Sequence, residues 1–118
     1  MYRSYKDYLQ HIWDEIEYLL TYSKNVNKDQ FLKDETLKRS FVRSLEIIGE
    51  ATKSLPESFK AKHPEISWRS MAGMRDKLIH NYFGVDYDVV WNAVVDEIPN
   101  LKVNIEKILN ESNEVEDN

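Results

Sequence analysis

Five residues within one stretch of eight could act on a common group: Arg75, Asp76, His80, Asn81 and Tyr82. A guanidinium suits bidentate contact with a phosphate. A histidine that titrates near neutrality can take or give a proton. If the stretch is helical, Asp76 lies four residues before His80 and favours its charged form, as does the negative end of the helix dipole. On an ideal helix Arg75 and His80 diverge by roughly 140°. They meet around one small group only if the arginine wraps, or if a second copy of the helix faces the first. Tyr82 falls on the arginine's stripe and could present its hydroxyl beside the same place. Asp76 and Asn81 are most simply solvent-facing.

Each residue also has a bland reading. On a continuous helix Arg75 sits near the centre of an apolar arc formed by Trp68, Met71, Ala72, Met74, Leu78, Ile79, Tyr82 and Phe83. A charge there requires a partner, because burying an unpaired guanidinium is expensive. That partner could be Glu46 or Glu50, in a purely structural ion pair, or it could be a bound anion. His80 could be no more than a half-exposed histidine at a helix end. His11 and His63 stand apart, and their spacing does not form a metal site. There is no glycine-rich phosphate loop and no nucleophile elbow.

The elements that must position these residues read as helices. The chain has 118 residues with 42% hydrophobic and 31% charged, which fits one globular domain. With only three glycines and three prolines, a few long helices are favoured over many strands. No cysteine is present, which removes disulfides, a thiol nucleophile and cysteine-ligated metals. The net charge of −5 leaves no bulk attraction to nucleic acid, so any RNA contact must be a local patch. No apolar run reaches the length of a membrane span, and the N-terminus does not resemble a signal peptide. A soluble cytoplasmic protein is expected.

Four long amphipathic helices are predicted, with a short one between them. The first spans about 2–24, with Tyr5, Leu9, Ile12, Trp13, Ile16, Leu19 and Leu20 on one stripe. The second spans about 30–54, capped by Asn27 or Asp29, with Leu37, Phe41, Val42, Leu45, Ile48 and Thr52 inward. Its charged stripe is Arg39, Arg43, Glu46 and Glu50. A short helix follows from Pro56 to Ala61. The next runs from Trp68 to Phe83, capped by Ser67 and stopped by Gly84. The last begins at Asp86, and Pro99 predicts a kink or break near Ile98. Together these make an all-α, up-down helical bundle over 1–110, with an acidic tail over 111–118 that is expected to fray. Ile47, Ala51, Val89 and Ala93 lie off the main stripes and hint at a second packing surface, such as a homodimer interface.

Arg75-Asp76-Lys77-Leu78-Ile79-His80-Asn81-Tyr82 resembles the R-x4-H-x-Y motif of HepT-like toxins in the HEPN superfamily. SLEIIGEATKSL over Ser44–Leu55 resembles that family's second-helix signature. PEISWRSMAGMRDKLIHNYFGVDYDVVW over Pro64–Trp91 and EIPNLK over Glu97–Lys102 resemble its central block and the segment after it. A bare R-x4-H occurs often by chance. These blocks in this order are specific and cover nearly the whole chain.

The resemblance implies a HEPN-like helical homodimer whose two motifs face a shared cleft. It implies a metal-independent endoribonuclease toxin acting on cellular RNA, including transfer RNA, with no cofactor. It implies an MntA-like nucleotidyltransferase antitoxin as partner, which silences the toxin by adding AMP to the motif tyrosine. Arg75 and His80 carry over as the catalytic pair and Tyr82 as the AMP acceptor, with Asp76, Asn81, Glu46, Glu50 and Arg43 as supporting polar residues. The competing reading is a non-catalytic, nucleotide-binding helical subunit that partners a nucleotidyltransferase.

Overall fold

The computed structural model describes residues 4–78 and 84–117, with side chains described through Glu111. Its regular elements are helical: α1 (Tyr5–Ser23), α2 (Lys28–Lys33), α3 (Glu35–Ser54), α4 (Glu57–Ala61), α5 (Trp68–Ala72), α6 (Met74–Leu78), α7 (Tyr87–Asn92), a π-helical segment (Ala93–Glu97) and α8 (Ile98–Asp117). The all-α class is as the sequence predicts. The helix α8 takes in most of the acidic stretch expected as a tail.

The helix α1 follows its predicted stripe. Leu9, Ile12, Ile16 and Leu19 are fully buried, and α1 packs on α3 and α8. Tyr5 lies at the margin and stacks on Phe59 of α4. The single helix expected over 30–54 is two helices. Asn27 caps α2 through a reciprocal box: its side chain accepts from the Gln30 amide at 2.8 Å, and Gln30 accepts from the Asn27 amide at 2.9 Å. Asp34 then ends α2 and caps α3, its carboxylate accepting from the Leu37 amide at 3.0 Å. An aspartate offered this local bond leaves the helical conformation, which is why the chain breaks there. The half-buried Lys38 ties the corner together. It donates to the Leu32 carbonyl and to Glu35, and it lies 4.6 Å over the Tyr87 ring of α7.

Phe31 on α2 is fully buried against Phe41 and Trp91, with ring centroids 5.2 Å away in each case. It joins α2, α3 and α7. Ala51 and Ala93, read from the sequence as spare apolar positions, are buried within the chain itself. Pro56 caps α4 without a side-chain bond. Trp68 donates its indole N–H to the carbonyls of Lys60 and His63 at 3.1 and 2.9 Å, fixing the loop that leads into α5.

The helix predicted from Trp68 to Phe83 is interrupted. Gly73 sits in a turn between α5 and α6, its amide bonded to the Arg69 carbonyl. Ser67 stands at the N-cap, but its hydroxyl pairs with Ser70 Oγ at 2.8 Å rather than with a backbone amide. Pro99 is expected to kink or break the helix near Ile98, but the helical run continues through it with a change of winding just before. It lacks an N–H and cannot bond the carbonyl four residues back. The chain accommodates it by widening Ala93–Glu97 into a π segment just before Ile98.

Candidate active site

The close approach of α3 to α5 sets the height of the site. Gly49 on α3 is buried, and a side-chain carbon there would lie 3.3 Å from the Met71 carbonyl oxygen. Glycine therefore lets the two backbones meet. The helix α6 continues from this contact and also packs on α3 and α7.

On α6, Met74 and Leu78 turn inward and are buried, while Arg75, Asp76 and Lys77 are exposed. This corrects the expectation that Arg75 occupies an apolar arc. The wheel assumed one continuous helix. The turn at Gly73 resets the phase, so Met74 and Leu78 take the core side and the guanidinium goes to solvent.

The structural ion pair with α3 does not form. Glu46 lies 3.8 Å from Arg43 on its own helix, Glu50 is exposed, and Arg75 makes no ion pair among the described residues. Arg43 is itself exposed, as is Arg39. Arg75 thus presents an uncommitted cation on a short, well-anchored helix, which is what an anion contact requires.

His80, Asn81 and Tyr82 lie outside the described residues. The segment that carries them is bracketed by a defined clamp. The amide of Asp86 donates to the Leu78 carbonyl at 3.0 Å, tying the end of α6 to the start of α7. The Asp86 carboxylate caps α7, accepting from the amides of Asp88 and Val89 at 3.1 and 3.3 Å. Gly84, inside this closure, has φ +92°, a conformation that favours glycine. Sequence reading placed Asp86 at a helix start but missed its role in closing the motif segment. Its place two residues after a glycine was the available signal.

The other two histidines lie on α1 and in the loop before α5. His63 is half-buried, its ring 4.8 Å from that of Phe59 and its Nδ1 3.5 Å from Glu65. His11 is exposed on α1. Among the described residues no three of His, Asp and Glu gather closely enough to hold a metal ion.

The model of the ribonuclease HepT-like family matches residues 12–108, which takes in every residue of the motif. The chain belongs to the HepT-like ribonuclease family. Membership makes it an endoribonuclease. A protein of Caldanaerobacter subterraneus subsp. tengcongensis named as an RNase is 50% identical over 104 residues, covering 88% of this chain and 93% of that one. A protein of Thermococcus cleftensis named as a ribonuclease HepT is 50% identical over 108 residues, covering 92% of this chain and 98% of that one. In Methanocaldococcus jannaschii a longer protein, named as a gamma-glutamylcyclotransferase and RNase, is 43% identical over 111 residues; these are 94% of this chain and 50% of that one. No solved structure shows a significant match to the chain. Among the described residues no helix is long and apolar enough to cross a membrane.

Proposed function

We propose that this ribonuclease is the toxin of a toxin–antitoxin pair. It cleaves cellular RNA, transfer RNA included, without a metal, at a site built from Arg75 and His80. The observation that carries the reading is the exposed Arg75, which makes no ion pair among the described residues and stands at the head of the R-x4-H-x-Y segment.

The chemistry needs two things. The ribose 2′-hydroxyl must lose its proton as its oxygen attacks the adjacent phosphorus. The 5′-oxygen of the next nucleotide must gain a proton as its bond to phosphorus breaks. A neutral His80 takes the first proton. Arg75 holds the non-bridging oxygens, whose charge grows in the transition state. A homodimer supplies a second, protonated histidine, and His80 of the partner subunit gives the second proton. The products are a 2′,3′-cyclic phosphate and a free 5′-hydroxyl. Asp76 and Asn81 flank the pair, and Glu46, Glu50 and Arg43 provide the polar wall on α3.

An MntA-like nucleotidyltransferase silences the enzyme by transferring AMP from ATP to the Tyr82 hydroxyl, with release of pyrophosphate. The adduct sets a bulky anion beside Arg75 and competes with the RNA phosphate. The test is incubation with such a transferase and ATP. Wild type gains the mass of one AMP and loses ribonuclease activity, while Tyr82→Phe gains nothing and stays active. A Tyr82→Phe protein that is still modified and silenced would place the acceptor elsewhere.

A further inference from the structure

The flank of α6 that faces away from Arg75 carries a second feature. A groove of about 500 Å³ runs between α5–α6 on one side and α7, the π segment and α8 on the other. Met71, Met74, Leu78, Val89 and Leu101 form its apolar floor. Among the described residues, the charged ones along it are Glu65, Asp96 and Glu97, with Lys77 as the one cation. Two of those three carboxylates are presented by the π segment, whose widened turn lies directly beside the floor.

We propose that this groove docks a basic amphipathic helix from a partner protein. An apolar floor of this size accepts one or two large aliphatic or aromatic side chains, the usual anchors of a helix laid in a groove. The excess of carboxylates selects lysine and arginine on the flanks of that helix. The same excess disfavours RNA, whose phosphates would meet Asp96 and Glu97. It also disfavours a second copy of this chain, which itself carries a net charge of −5. The groove lies apart from the Arg75 side chain. Lys77 lines it and Arg75 does not, and two residues apart on a helix their directions differ by roughly 200°. The inference therefore stands independently of the proposed reaction, and its test reads binding rather than cleavage.

Two synthetic helical peptides provide the probe. Both carry leucine at i, i+3, i+4 and i+7. One carries lysine at the flanking positions and the other glutamate. Fluorescence anisotropy should show the lysine peptide binding wild type at least about tenfold more tightly than the glutamate peptide, with an affinity that falls as salt rises. The Asp96→Lys/Glu97→Lys double variant should lose that preference. Ser70→Trp fills the groove from an exposed position and should weaken the lysine peptide by about tenfold or more, with melting temperature unchanged. Arg75→Ala should bind like wild type. Equal binding of both peptides, no binding of either, or indifference to Ser70→Trp would overturn the proposal. Displacement of the peptide by an RNA oligonucleotide would overturn it in favour of RNA. Conversion of a dimer to a monomer by Ser70→Trp would overturn it in favour of a second copy.

Discussion

Arg75 stands in solvent, so its removal should cost chemistry and not stability. Arg75→Ala should lower RNA cleavage by about 10²–10³-fold, while its unfolding free energy stays within about 0.5 kcal/mol of wild type. A urea titration beside the cleavage assay separates the two effects. The residue type was legible in the sequence but its environment was not, because a helical wheel cannot see the one-residue turn at Gly73 that sends the side chain outward. The i, i+3 spacing of Arg43 and Glu46 allowed their pairing within α3, but the sequence could not say that Glu46 would take Arg43 in place of Arg75. A second residue-scale prediction concerns acid. The hydrogen bond from Lys38, and then its charge, hold the Glu35 carboxyl below the usual glutamate value of 4.5. A lowered folded-state value stabilises the fold above the unfolded value, and that contribution is lost as pH falls through the folded one. Glu35→Gln should therefore lower the urea midpoint slightly at neutral pH, and the difference from wild type should shrink as pH falls below the usual glutamate value. Exposure keeps the effect small.

At the scale of elements, the breaks matter as much as the helices. Asp34 ends α2 and starts α3, and Asp34→Ala should cost about 1 kcal/mol by leaving the Leu37 amide without its cap. The measurement is the shift in urea midpoint at constant slope. Hydrophobic periodicity found α1, most of α3 and the start of α7, because each buries a sustained stripe. It ran through Asp34 and Gly73, because apolar residues resume beyond both. Pro99 was legible for a covalent reason, the missing N–H, although the sequence could not say that the response would be a π segment. The Asp86 clamp depends on a backbone bond across the motif segment, a long-range fact that local pattern does not contain.

The whole molecule is an all-α scaffold that holds Arg75 at its surface on the short helix α6. Phe31 is the point where three helices meet, and Phe31→Ala should cost about 3–5 kcal/mol by opening a cavity between Phe41 and Trp91. Activity should be lost only to the extent that the protein unfolds. Fold class and motif were both visible in the sequence, the first from composition and stripes, the second from the order of its blocks. The central claim is that Arg75 and His80 cleave RNA without a metal. Its most direct test is cleavage of total RNA and transfer RNA in excess chelator, by protein shown by mass to carry no AMP, beside Arg75→Ala and His80→Ala. Wild type should cleave and leave 2′,3′-cyclic phosphate ends, with at most a small residue of that activity in either variant. Cleavage that survives in both variants, or that disappears from wild type when chelator is added, would contradict it.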